Sequence, residues 1–132
     1  MFFKKSIRTQ NKIDTLIGAE TRINGDIHFK GGLRVDGSII GNVIEVGEAH
    51  ATLVLSEHGR IEGEINVSQV MLNGSVIGSV RAKHLVELLS KAVITGDVYY
   101  KTLEMHTGAV IEGKLIYLGD QQLLITDQSQ KP

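Results

Sequence analysis

The chain has no cysteine, which excludes a disulfide framework and any thiolate-bound zinc site and fits a reducing compartment. Its one proline is Pro132, so nothing before that residue removes a donor from a backbone hydrogen-bond ladder. No stretch approaches the roughly 18 consecutive apolar residues of a membrane-spanning helix. An excess of one charge is missing as well. Lys and Arg total 14 against 15 for Asp and Glu, for a net charge of −1, and no basic stripe points to a nucleic-acid partner. The opening MFFKKSIRTQNK lacks the apolar core of a secretory signal, because Lys4 and Lys5 follow only two phenylalanines. A cytoplasmic location is the expectation. What remains is 132 residues with 42% hydrophobic content, enough for one domain with a continuous core.

Glycine is plentiful and ordered. A unit of aliphatic, any residue, glycine, any residue, aliphatic occurs eight times, at 23–27, 35–39, 39–43, 61–65, 72–76, 76–80, 94–98 and 111–115. Chance placement gives about one such match, so the repetition reflects architecture. In a strand, alternate residues share a face. That places Ile23, Ile27, Val35, Ile39, Val43, Ile61, Ile65, Val76, Val80, Ile94, Val98 and Ile111 in the core, and Asp26, Glu62, Glu64, Asp97 and Glu112 outside. A glycine on the buried side marks a bend or a backbone conformation closed to other residues. The intervals between such corners are 16 from Gly25 to Gly41, 18 from Gly78 to Gly96 and 17 from Gly96 to Gly113, the length of one coil.

The fold expected is therefore all-β, a parallel β-helix of about six windings over residues 15–118. Residues 1–14 and 119–132 are expected as flexible arms. The interval from Gly41 to Gly63 swells to 22, and the extra residues are assigned to an outward loop at 47–52. One segment competes: AKHLVELLSKAV at 82–93 has helical spacing of its apolar residues, but it fills a gap of one winding and is assigned to strand and corner.

Solenoids usually close their ends with a polar or helical cap, and none is legible here. The last winding, KLIYLG, is apolar and is followed by a polar tail. Leu115, Ile116, Tyr117 and Leu118 are accordingly candidates for a polymer interface, in which open ends stack on other copies of the chain. Ile116 and Leu118 fit equally well as ordinary core of the last coil. At the other end Met1, Phe2 and Phe3 form an apolar tip beside Lys4 and Lys5, a combination suited to an anionic membrane surface. Phosphate-binding loops need Gly-rich backbone followed by Lys and a hydroxyl residue, a sequence this chain lacks, and no cofactor is expected. The remaining enzyme reading is a left-handed hexapeptide-type acyltransferase, since Ile17, Ile23, Phe29 and Val35 fall six apart and His50 is placed as a possible base. The hexapeptide register fails at Gly41, and no catalytic site assembles from the sequence. His28, His58, His84 and His106 show no metal-ligand spacing.

The segments TLIGAETRINGDI (15–27), LRVDGSIIGNV (33–43), SEHGRIEGEI (56–65), VITGDV and GAVIEGKL together resemble the bactofilins, bacterial cytoskeletal proteins, over residues 15–118. The segment EAHAT departs from the family's usual winding. The resemblance implies a right-handed β-helix that is not an enzyme and that polymerises without nucleotide. It also implies filaments at the inner face of the cytoplasmic membrane, where they serve as scaffolds for cell-shape or envelope-synthesis factors.

Overall fold

A computed structural model of the protein describes residues 12–119. Among these described residues eighteen short strands wind six times around one axis. The windings are β1 (Thr15–Ile17), β2 (Arg22–Asn24) and β3 (Ile27–Phe29); β4 (Gly32–Val35), β5 (Ser38–Ile40) and β6 (Val43–Glu45); and β7 (Thr52–Leu55), β8 (Arg60–Glu62) and β9 (Ile65–Asn66). They continue as β10 (Gln69–Leu72), β11 (Ser75–Ile77) and β12 (Val80–Ala82); β13 (Leu85–Leu88), β14 (Val93–Thr95) and β15 (Val98–Tyr100); and β16 (Leu103–Met105), β17 (Val110–Glu112) and β18 (Leu115–Tyr117). Every third strand pairs in parallel, giving three six-stranded sheets that form the sides of a triangular stack. The chain is a parallel β-solenoid, and residues 82–93 are strand and corner within it rather than helix.

Register explains the sequence unit. In six of its eight occurrences the first aliphatic lies on the second sheet, the glycine at the corner and the second aliphatic on the third sheet, as with Ile61, Gly63 and Ile65. The other two, around Gly37 and Gly74, turn from the first sheet to the second. Equivalent residues stack in columns: Ile23, Ile39, Ile61, Val76, Ile94 and Ile111 on the second sheet, and Ile27, Val43, Ile65, Val80, Val98 and Leu115 on the third. Val35, Ile39, Val43, Ile61, Ile65, Val76, Val80, Ile94 and Val98 are at most 1% exposed. Ile23, Ile27 and Ile111 pack against this core but stay partly exposed, because each lies in the first or last winding of the described residues. The core also holds Leu33, Leu53, Leu55, Val70, Leu72, Val86 and Leu88 of the first sheet.

The corner glycines stack as closely as the strands. A Cβ on Gly78, whose φ is +144°, would strike the carbonyl oxygen of Gly63 in the winding below, and each of Gly41, Gly63, Gly96 and Gly113 sits the same way on its predecessor. Beside this column a second one ties the windings through side chains. Asp26 Oδ1 accepts the Asn42 amide hydrogen at 2.8 Å, Asn42 Oδ1 that of Glu64 at 2.8 Å and Asp97 Oδ1 that of Lys114 at 2.9 Å. The short carboxylate or amide after the glycine thus serves the next winding's backbone.

The long second interval is a loop at 46–51, between β6 and β7. It begins one residue earlier than the 47–52 expected, and Thr52 is buried at the start of β7. Glu45 anchors it. Its carboxylate accepts the Ala51 amide at 3.1 Å, the Ser68 amide at 2.8 Å and the Ser68 hydroxyl at 2.7 Å, and Lys83 Nζ lies 3.2 Å away.

Candidate functional site

A stack of parallel strands has two ends, and each ends in backbone groups without a ladder partner on one side. The first end is formed by β1, β2 and β3 and the second by β16, β17 and β18. The two differ in which apolar side chains of the inward register they leave open. At the first end Ile17 and Phe29 are still buried and Ile23 and Ile27 half-buried, Leu16, 59% exposed, stands in the outer column of Arg34 and Val54, and Asp14 accepts the Gly32 amide hydrogen at 2.9 Å. At the second, Met105 is 45%, Leu115 47% and Tyr117 60% exposed, and Leu103 and Ile111 are half-buried.

These residues are open because of their layer, not their direction. Met105 continues the column of Val35, Leu55, Leu72 and Leu88, all of them completely buried. Leu115 stands directly over Val98, and among the described residues no strand pairs beyond it. Fully burying such a side chain stabilises by about 1.5–3 kcal/mol, so an end presenting several of them favours coverage by another layer.

Of the four interface candidates, Leu115 and Tyr117 share the inward-facing register, with the Tyr117 ring 5.8 Å from that of Tyr100. Ile116 lies on the opposite, outer face in the column of Arg81 and Tyr99, where the Arg81 guanidinium rests 4.2 Å over the Tyr99 ring. Leu118 is a corner residue whose amide donates to the Tyr100 carbonyl at 2.7 Å. The sequence reading passes over Leu103 and Met105, whose membership in buried columns emerges only from the register; Ile111, read as core, continues the column of Ile94. Met1, Phe2, Phe3, Lys4 and Lys5 lie outside the described residues.

The histidine weighed as a base, His50, is exposed in the 46–51 loop with its ring centroid 4.7 Å from that of His84. His106 Nε2 lies 2.9 Å from a Glu87 carboxylate oxygen on the exterior. Among the described residues no three His, Asp or Glu side chains are placed to share a metal ion. Of the outward carboxylates, Glu62 pairs with Arg60 on its own strand at 2.8 Å, an exposed pair that contributes little to stability, whereas Asp26 and Asp97 bond the next winding.

Comparison with known proteins agrees with this geometry. The chain is similar to Bactofilin BacO of Myxococcus xanthus (strain DK1622), at 26% identity over 108 residues and 82% coverage of each chain. It is also similar to the chain in a cryo-EM reconstruction of Thermus thermophilus bactofilin double helical filaments, at 31% identity and a TM-score of 0.65, covering 76% of this chain and 98% of that one. A family model described as bactofilin, polymer-forming cytoskeletal, matches residues 15–116. The chain belongs to the bactofilin family of polymer-forming cytoskeletal proteins.

Proposed function

We propose that this protein assembles without nucleotide into filaments by stacking its open ends on other copies, and that the filament is a scaffold held at the inner face of the cytoplasmic membrane. The observation that carries the reading is the uncovered last winding, with Met105, Leu115 and Tyr117 exposed in register with a buried core. Strand pairing and apolar burial across the junction supply the driving force, and no nucleotide step is needed to account for it. The filament reported for the Thermus thermophilus relative supports an assembly of this kind. Leu115 and Tyr117 contribute inward surface to the junction, and Ile116 and Leu118 flank it.

The membrane part rests on the amino-terminal arm. Each basic residue near an anionic surface contributes about 1 kcal/mol, so Lys4 and Lys5 with the apolar tip of Met1, Phe2 and Phe3 bind only marginally as one copy. A filament presents many arms at once, and avidity raises binding by roughly 10² or more. Clients of the scaffold would then be cell-shape or envelope-synthesis factors. Light scattering of the purified chain with and without ATP or GTP tests the assembly step: polymer should form equally in all three, and polymer that requires nucleotide would overturn the reading.

A further inference from the structure

His50 and His84 belong to different windings, yet their rings meet edge to face with centroids 4.7 Å apart. His50 lies in the 46–51 loop that follows β6, and His84 lies in the corner between β12 and β13, two windings further on. The corner between them, joining β9 to β10, contains Ser68. The loop therefore reaches past one winding to touch the next.

One carboxylate fixes the backbone on both sides of this ring pair. Glu45 accepts the amide hydrogen of Ala51, the neighbour of His50, at 3.1 Å, and lies 3.2 Å from the ammonium of Lys83, the neighbour of His84. It also accepts the amide and hydroxyl hydrogens of Ser68, and the Ser68 carbonyl in turn accepts the His84 amide hydrogen at 3.0 Å. Ser68 is completely buried, whereas both histidines are exposed. The anchors are rigid and the rings are accessible. Among the described residues no hydrogen bond or ion pair occupies the nitrogens of either ring.

Neutral imidazole is a ligand for zinc, copper and nickel. A ring nitrogen sits about 2.0–2.1 Å from such an ion and the ring centre about 1.1 Å further out, so two imidazoles subtending about 90–109° at one ion have centroids about 4.5–5.2 Å apart. The observed separation of 4.7 Å falls in that interval. We propose that His50 and His84 form a two-imidazole site for a divalent transition-metal ion of the zinc type, with water completing its coordination, and that the bound ion clamps the 46–51 loop to the corner between β12 and β13. Each exposed ring turns to present one nitrogen, and Glu45 supplies the positioning without touching the ion. The loop that lengthens the second interval thereby becomes a ligand arm, and the ion braces three successive corners of the solenoid.

Equilibrium dialysis of the untagged full chain against Zn²⁺ tests the site. One ion should bind per chain with micromolar affinity. His50→Ala and His84→Ala, checked for folding by circular dichroism, should each weaken binding by roughly tenfold or more, because a lone imidazole loses the gain of a second, tethered ligand. His28→Ala and His58→Ala should leave it unchanged. Zn²⁺ should also raise the melting temperature of the natural protein and slow amide exchange in residues 46–51, and it should do neither in His84→Ala. No binding, binding that survives either His50→Ala or His84→Ala, or a loss shared equally with His28→Ala and His58→Ala, as for an adventitious ion only, would overturn the site.

Discussion

The carboxylate of Glu45, in the second winding, accepts both the amide and the hydroxyl hydrogen of Ser68 in the third, at 2.8 and 2.7 Å. The side chain is only 9% exposed, and it also holds the Ala51 amide at the end of the 46–51 loop. Burial raises its pKa, but the hydrogen bonds from Ser68 and Ala51 and the Lys83 ammonium outweigh that effect and leave it below the ordinary glutamate value. A carboxyl group lowered on folding stabilises the native state fully above its ordinary value, and that contribution is lost as pH falls through the lowered one. Glu45→Ala should cost about 1–3 kcal/mol at neutral pH. Urea melts repeated toward acid should show the gap between variant and natural protein closing; a gap independent of pH would contradict the assigned role.

The stacked corners make a second prediction. Gly78→Ala and Gly25→Ala both place a side chain at a strongly positive φ, +144° and +133°. Only at Gly78 does the new Cβ meet the backbone of a lower winding, since nothing lies within 4 Å of the corresponding position at Gly25. Strained backbone alone costs about 1–3 kcal/mol. Gly25→Ala should therefore lower the melting temperature moderately, whereas Gly78→Ala should destabilise far more by prising two windings apart. Equal losses in thermal melts would show that stacking distance is not what selects glycine there.

Core layers should respond by position in the stack. Ile65→Ala, in a middle winding, should cost about 2–5 kcal/mol, and Val98→Asp should leave a buried charge without a partner and unfold its surroundings. A cooperative melt like that of the natural protein in the Asp variant would be incompatible with the inward register of Val98.

The amino-terminal arm is tested by deletion. Removing residues 2–5 should leave polymer formation intact and greatly reduce co-sedimentation with vesicles rich in anionic lipid. Undiminished vesicle binding would remove the arm from the membrane step.

How much of this was legible in the sequence depends on where a signal repeats. The glycine unit reports chiefly the corner between the second and third sheets, where Gly41, Gly63, Gly78, Gly96 and Gly113 in turn leave no room for a Cβ against the glycine below. Leu33, Leu53, Leu55 and Leu88, as deeply buried as any residue, are less legible because none of them belongs to such a unit, which reaches the first sheet only at Val35 and Leu72. Glu45 carries no sequence signal of its role; its burial depends on a loop that folds back at Ala51 and on a serine 23 residues away. Asp26, Asn42 and Asp97 read as solvent-facing, which they largely are, but their bonds to the next winding require the register. At the open end, Leu115 and Tyr117 follow from the last repeat, whereas Met105 becomes visible as an end residue only when its column is traced downward through Leu88 and Leu72.

The most direct test is electron microscopy of Leu115→Asp beside the natural protein, with circular dichroism on the same samples. Leu115 has a core layer below it and none above among the described residues, so a charge there should leave β-sheet content and melting close to natural and abolish filaments. Filaments of unchanged length and abundance in a folded Leu115→Asp variant would contradict assembly through this end.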